Sequence, residues 1–313
     1  MKRLFVLLAI LAVSAGALYL AQRSKRPDAV SPDAVLDAAA EIERNISRAP
    51  MHMTRLPDES EIRIGNELAE KYLPAEPAHS AEMESVEKYV SKVGDRVAAH
   101  AHRRLPYRFN LIANSDLVNA FALPGGHVFV GLGLLNQMTS EDELACVLGH
   151  EIEHIDHYHA VERIQIEAQL KKLDLDAIAA LAQIALELWQ VGYSKEQELE
   201  ADREGLRLAA AAGYSPQGAV NLIDRWAELN REYEIHASTP VDELSQVAIE
   251  GLQGYFRSHP LPEERLEQAK KVIVEDGLDV TKPLTPLAIT PLIRQKNAPA
   301  SAVKDAEGVQ HER

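Results

Sequence analysis

The chain has almost no cysteine with which to form disulfides or to bind a metal. Cys146 is the single cysteine among 313 residues. One thiol cannot form an internal disulfide, and it cannot build a thiolate zinc cluster. Any bound metal must therefore be held by histidine and carboxylate side chains.

Positive charge and aromatic rings are also scarce. Lys and Arg number 33 against 48 Asp and Glu, which gives a net charge of -15, and aromatic residues make up 5% of the chain. A surface of this charge repels a phosphate backbone, and no basic stripe with interleaved aromatic residues occurs. We therefore expect no nucleic acid partner. The hydrophobic content of 46% is enough to bury a full core.

One long uncharged run stands at the N-terminus. Lys2 and Arg3 precede the 18 residues from Leu4 to Ala21, "LFVLLAILAVSAGALYLA". A basic start followed by an apolar run is typical of a secretion signal or a membrane anchor. We predict that residues 1–22 form such a segment, so that the protein is exported to the periplasm or to the periplasmic face of the inner membrane. If the segment is not cleaved, it tethers the chain to the membrane.

The rest of the chain divides into three parts. Residues 23–58 lack sustained periodicity and are predicted to be a linker, and residues 59–277 are predicted to be the folded domain. The remaining residues, 278–313, hold several prolines and a charged end, and are predicted to be an extended or disordered tail.

Within the domain, the patterns predict a mainly helical α+β fold with a small antiparallel sheet. Helical spacing of valines runs over 81–100, and alternation in 107–112 indicates a strand. Two β-prone runs flank Pro-Gly-Gly in 118–131, which predicts a hairpin. Ser140 and Glu143 form a capping-box pattern, after which we predict one helix to about Gln165.

That helix carries the densest cluster of histidine and glutamate residues in the sequence. Residues 148–160, "LGHEIEHIDHYHA", hold four of the 12 histidines. His150 and His154 are four apart, so on a helix both imidazoles face one side and can meet one zinc ion. Glu151 stands beside such an ion, where its carboxylate can accept a proton from water.

Two histidines need a third ligand, and the acidic stretch 196–205, "EQELEADREG", offers several. Glu198 and Asp202 are four apart and share a helix face. The pairs Glu196 with Glu200 and Glu200 with Glu204 have the same geometry, so spacing alone leaves the choice open. An exposed acidic helix face would give the same pattern.

Several motifs together resemble the zinc metallopeptidase family of HtpX, BepA and the CAAX prenyl endopeptidase. "LGHEIEHIDHYHA" is followed by "YSKEQELEAD", which resembles the family's H-E-x-x-H and E-x-x-A-D motifs. "NAFALPGGHVFVGLGLL" resembles its edge-strand segment, and "SHPLPEER", 258–265, resembles a further stretch. The chain most resembles the soluble, BepA-like periplasmic members that lack a repeat domain. It departs from the pattern at Tyr158 and Lys195.

The resemblance implies a zincin-like fold whose edge strand borders the active-site cleft, and it implies a set of site residues. Glu198 would be the third ligand of one Zn²⁺ per chain. Asp202 would accept a hydrogen bond from the outer N–H of a ligand histidine. His259 would act as a removable fourth ligand or as a hydrogen-bond donor to the oxyanion. The implied edge strand, which would bind substrate backbone, consists of His127, Val128, Phe129 and Val130.

The implied function is that of a zinc metalloendopeptidase of the cell envelope that cleaves unfolded or misassembled proteins. Zinc-activated water would be the nucleophile, with Glu151 as general base. The alternative is a chaperone-like or scaffold protein that keeps a structural zinc and binds extended polypeptide without cutting it. A third possibility is a helical protein without metal.

For the remaining polar groups, we expect His159 to turn off the zinc face, His157 to be solvated and Cys146 to be a buried thiol.

Overall fold

The computed structural model describes residues 56–73, 80–170, 180, 192–236, 259 and 262–289, all within the compact unit Leu56–Arg313. The predicted segment 1–22 and all but the last three residues of the predicted linker 23–58 lie outside these residues. The described elements, in chain order, are α1 (Asp58–Ala69), α2 (Ala81–Ala98), β1 (Arg108–Ile112), β2 (Ala120–Leu123), β3 (His127–Gly131), α3 (Leu132–Gln137), α4 (Glu141–Asp156), α5 (His159–Leu170), α6 (Lys195–Ala211), α7 (Gln217–His236) and α8 (Pro262–Glu275). The predicted mainly helical α+β class is confirmed. In the described part of the chain, no helix is both long enough and apolar enough to cross a bilayer.

Helix α2 covers the sheet through a single apolar stripe. Val86, Val90, Val93 and Val97 recur at helical spacing, and each is at most 1% exposed. This stripe packs against β1. The predicted helix over 81–100 is confirmed, because its 3.6-residue period matches one buried face.

The sheet is mixed rather than antiparallel, with strand order β1-β3-β2. The predicted hairpin is confirmed: β2 and β3 pair antiparallel across Pro124–Gly126, where Gly125 and Gly126 have φ of 78° and 106°. On its other side β3 pairs parallel with β1. The expectation that His127, Val128, Phe129 and Val130 form an edge strand is wrong, because β3 is hydrogen-bonded on both sides and fully buried.

The apolar pattern does not distinguish the central strand from its neighbour. "HVFVG" of β3 and "AFAL" of β2 are both apolar runs with every residue buried, which is typical of strands that are covered on both faces. Within the hairpin, the edge strand is β2, which pairs with β3 and with no other strand among the described residues. Strand β2 also packs against α4.

Helix α4 is the central element of the domain. Ser140 caps its N-terminus by accepting a hydrogen bond from the Glu143 N–H at 3.2 Å, as predicted. The reciprocal half of the capping box is replaced, because the Glu143 carboxylate accepts from Thr139 and Arg225 instead. Every residue from Asp142 to Asp156 is buried. The polar residues of α4 therefore lie inside the protein, where each needs a partner.

The prediction of one continuous helix to about Gln165 is wrong. Helix α4 ends at Asp156, Tyr158 has a φ of 59°, and α5 begins at His159. A left-handed conformation costs a non-glycine residue about 1–2 kcal/mol, so tertiary contacts must hold it. The Arg103 guanidinium lies 3.7 Å from the centre of the Tyr158 ring. Asp156 accepts hydrogen bonds from the His102 N–H at 2.6 Å and the Tyr107 hydroxyl at 2.5 Å.

The domain continues beyond its predicted boundary at 277. Within the segment 278–289, expected to be part of an extended or disordered tail, residues 285–287 pair with the start of α4. Thr285 accepts from the Glu141 N–H at 2.8 Å, and Leu287 donates to the Thr139 carbonyl at 3.2 Å. Leu287 and Ile289 are buried at 3% and 4% exposure. Their burial contributes free energy that a free tail would not gain.

Candidate metal centre

Two helices bring three donor side chains to one buried point. His150 and His154 project from one face of α4, and their Nε2 atoms are 3.0 Å apart. Glu198 reaches them from α6, with Oε2 3.5 Å from His150 Nε2 and Oε1 3.4 Å from His154 Nε2. All three residues are at most 4% exposed.

The spacing of these atoms suits a zinc ion. Ligand atoms bound at about 2.0–2.1 Å and at tetrahedral angles lie about 3.3 Å from one another. The three separations of 3.0, 3.4 and 3.5 Å are close to that value. Glu198 Oε1 is buried and has no hydrogen-bond partner among the described residues. A buried carboxylate oxygen without a donor is unfavourable unless a cation balances it, so the donor set fits the metal.

Two glycines let α4 and α6 approach closely enough for this convergence. A Cβ built on Gly205 would lie 2.6 Å from the backbone N of His150, and one on Gly149 would lie 2.5 Å from the Gly205 carbonyl oxygen. No larger residue fits at either position without movement of a helix. The backbone contact lies beside His150 and two turns from Glu198, so it sets how far the carboxylate is from the histidines.

We expect Gly205→Ala to destabilise the protein and to weaken zinc binding. Alanine normally stabilises a helix by about 1 kcal/mol relative to glycine. Here the added methyl forces α6 away from α4, and overpacking of this kind costs about 1–3 kcal/mol. Chemical denaturation and zinc titration of the variant measure both effects. Ala210→Gly in the same helix is the control, since it changes helix propensity at a partly exposed position. A stabilised Gly205→Ala variant with unchanged zinc affinity would contradict this explanation.

Asp202 and Arg265 lie behind His150. The His150 Nδ1 is 2.9 Å from Asp202 Oδ1. A carboxylate only accepts hydrogen bonds, so Nδ1 carries the proton and the Nε2 lone pair faces the centre. Arg265 donates to both Asp202 oxygens at 2.7 Å. Burial alone would raise the pKa of Asp202, but the Arg265 charge and the His150 hydrogen bond lower it to about 2.

Sequence reasoning gave Arg265 no role. It ends the stretch "SHPLPEER" that carried the family resemblance, and that resemblance was the only signal that pointed to it. Isolated arginines are usually solvated, whereas this one is 5% exposed.

Glu151 lies beside the donors without joining them. It is 1% exposed, and neither of its oxygens has a hydrogen-bond partner among the described residues. Burial raises the pKa of Glu151, although the neighbouring His259 and His150 oppose the shift. His259 is the nearest basic group, with Nε2 3.9 Å from Glu151 Oε1.

His259 completes a group of four possible ligands with His150, His154 and Glu198. Its Nδ1 is 2.9 Å from Glu198 Oε2 and 3.3 Å from His150 Nε2. Burial disfavours the imidazolium, but the charge of Glu198 outweighs it and the pKa of His259 is raised. The flanking residues 258 and 260 lie outside the described residues.

The other predicted residues lie away from this group. His127 is buried on β3, with Nε2 2.8 Å from Asn66 Oδ1, and burial together with the charge of Arg108 lowers its pKa to about 4. Val128, Phe129 and Val130 are core residues. Cys146 is a buried thiol whose pKa burial raises to about 12.

Two more histidines of the cluster lie outside this donor group. His157 is half-buried rather than solvated, with Nε2 3.1 Å from Glu153 Oε2. His159 is off the metal-facing side, as expected, but it is buried, and its Nδ1 lies 2.8 Å from the outer nitrogen of His154, Nδ1. The break at Tyr158 is the reason for this contact, since the rotation per residue of a continuous helix no longer applies beyond it.

Comparison with known proteins gives an independent indication of relationship. The model of peptidase family M48 matches residues 84–273, more than half of the chain. The chain is 28% identical over 203 residues to the "Beta-barrel assembly-enhancing protease" of Escherichia coli (strain K12), covering 58% of this chain and 38% of that protein. It is 39% identical over 179 residues to "Metalloendopeptidase OMA1, mitochondrial" of Bos taurus, covering 52% and 32%. The chain thus matches well under half the length of these relatives.

Proposed function

The chain belongs to peptidase family M48 and so carries a metalloendopeptidase domain, and from this we propose that it is a zinc-dependent endopeptidase that cleaves unfolded or misassembled proteins. His150, His154 and Glu198 would hold one Zn²⁺ per chain. The observation that carries the proposal is Glu151, a buried carboxylate without hydrogen-bond partners in the described part of the chain, directly beside three converging donors.

Each residue then has a chemical role. When bound, zinc supplies a Lewis acid that polarises the scissile carbonyl and makes water more acidic. Glu151 accepts the proton of the attacking water and delivers it to the leaving amine nitrogen. Burial raises the pKa of Glu151, which makes its carboxylate a stronger proton acceptor than that of an exposed glutamate. Asp202 and Arg265 keep His150 in the tautomer that leaves Nε2 free for the metal.

The substrate strand would pair with β2 rather than with β3. The Gly131 N–H of β3 donates to the Asn119 carbonyl, just before β2, at 2.8 Å. The odd-numbered residues of β2 therefore form the hydrogen-bonded pairs with β3. The backbone groups of Ala120 and Ala122 therefore point to the other side. An extended polypeptide that adds there would lie along α4 and be held by backbone hydrogen bonds, with little dependence on side chains. This suits a protease for unfolded proteins.

Removal and return of the metal test the proposal in the intact chain. We expect a chelator to abolish cleavage of an unfolded protein such as reduced casein, and stoichiometric zinc to restore it. The alternative is a chaperone-like protein with structural zinc. It predicts that the zinc-loaded chain suppresses aggregation of unfolded protein and leaves it uncut. That result would contradict the peptidase assignment.

We further propose that His259 occupies the fourth zinc position and limits activity until it leaves. Support comes from its Nδ1, which lies within the donor group 2.9 Å from Glu198. If the open state is populated at about 10%, then His259→Ala is expected to raise kcat/KM about 10-fold. Peptide cleavage by variant and parent measures this. A large fall in kcat would instead assign His259 as a donor to the oxyanion.

We propose that this activity resides in the periplasm or on the periplasmic face of the inner membrane. The supporting observations are the basic start and the uncharged run from Leu4 to Ala21, which lie outside the described residues. The similarity to a bacterial protein named "Beta-barrel assembly-enhancing protease" supports a role in the cell envelope. With a net charge of -15, the chain is not expected to bind nucleic acid.

A further inference from the structure

The second nitrogen of the ligand His154 faces another histidine. His154 Nδ1 lies 2.8 Å from His159 Nδ1, and both rings are 0% exposed. His159 is the first residue of α5 and follows the break at Tyr158. Its other nitrogen, Nε2, lies 3.4 Å from Glu200 Oε2, on α6. A chain of three side chains thus leads outward from the metal centre.

The number of protons on the two imidazoles determines which group donates in each of these hydrogen bonds. A hydrogen bond between two imidazole nitrogens needs one donor and one acceptor. If His154 Nε2 gives its lone pair to zinc, neutral His154 carries its proton on Nδ1 and donates it to His159. His159 then accepts at Nδ1 and carries its own proton on Nε2. That proton points to Glu200, whose carboxylate accepts it.

We propose that His159 and Glu200 are positioning residues for the zinc ligand His154, and that they fix its tautomer and ring orientation. This inference rests on the proposed zinc site. The arrangement parallels Asp202 behind His150, with an imidazole inserted between the ligand and the carboxylate. The negative charge of Glu200, passed on through a polarised His159, makes His154 a more basic ligand.

The requirement for a proton on His159 Nε2 also argues that no second cation binds next to the first. His157, His159 and Glu200 offer donor atoms within 4.8 Å of one another. A cation bound there would need the lone pair of His159 Nε2, where the loaded centre requires a proton. A second metal would thus compete with the first through the tautomer of His159, so we expect one tightly bound zinc per chain.

Zinc affinity of the full chain tests the inference without any need for peptidase activity. A chromophoric chelator in competition gives the zinc dissociation constant for His159→Leu, His159→Asn, Glu200→Gln and, as the control, His157→Asn. Leucine removes the acceptor, whereas the asparagine amide oxygen can replace Nδ1. We expect His159→Leu to weaken zinc binding about 10-fold to 100-fold. We expect His159→Asn to regain most of this loss, and His157→Asn to bind like the parent.

Thermal unfolding of the zinc-free chains separates positioning from general structure. His159→Asn and the parent are expected to unfold at the same temperature without zinc. If His159→Leu fails to fold, Glu200→Gln decides, because it keeps an acceptor, loses the charge, and should still weaken zinc binding. Parental affinity in both Leu and Gln variants would overturn the proposal, as would an Asn variant no better than Leu. A second tight zinc equivalent that disappears in His157→Asn would overturn it too. Uncut substrate with normal zinc binding would refute the peptidase function alone.

Discussion

Replacing Glu151 by glutamine is expected to lower kcat/KM for an unfolded protein about 100-fold to 10,000-fold while zinc stays bound. Glutamine has nearly the same shape but cannot accept the proton of water at neutral pH. Because Glu151 has no hydrogen-bond partner among the described residues, the change breaks no hydrogen bond observed there. Cleavage kinetics, together with the zinc content of the purified variant, measure the effect.

Glu153→Gln is the matched control for this experiment. Glu153 stands two positions further along α4 and is likewise buried, but its carboxylate contacts His157 instead of the metal donors. We expect this variant to keep zinc and most of the activity. If Glu151→Gln cleaves as well as the parent, Glu151 is not the general base, and a structural zinc becomes the better explanation.

Glu198→Gln is expected to weaken zinc binding more than about 100-fold, because even an outer partner of a ligand is worth about 10-fold to 100-fold. A neutral amide oxygen is a poorer zinc ligand than a carboxylate, and the change removes the only anionic group among the proposed ligands. Zinc titration and residual cleavage at fixed zinc measure the loss.

The control for Glu198→Gln is Glu196→Gln, two residues earlier on α6. Glu196 is exposed, and it was one of the alternatives that helical spacing left open. Its replacement should leave zinc binding unchanged. Equal losses in the two variants would point to the overall acidity of α6 rather than to a specific ligand.

The parts of the site that depend on one helix could be predicted from sequence. His150 and His154 share a face of α4 because the helical period alone places them there. Glu198 required the family resemblance, since Glu200 and Glu204 have equivalent spacing. The structure separates their environments: Glu198 meets the two histidines, whereas Glu200 meets His157 and His159.

The parts that depend on distant contacts could not be predicted. The break at Tyr158 is held by Arg103 and Asp156, and no local pattern at 157–159 marks it. This break is what turns His159 toward His154. In the same way, the hairpin pattern predicted that β2 and β3 pair, but only β1 determines which of the two is central. Tertiary contacts overrode the local expectation in both cases.

Helices α4 and α6 bury several ionisable side chains in the interior of the domain, so the stability of the folded chain would depend on the concentration of free zinc. Glu151, Glu153 and Glu198 are each at most 1% exposed. Buried carboxylates oppose folding, and an ion that binds only the folded chain offsets them. At free zinc 100 times the dissociation constant, the gain would be about 2.7 kcal/mol. With zinc held as proposed, the compartment's zinc supply would govern both turnover of substrates and the lifetime of the enzyme itself.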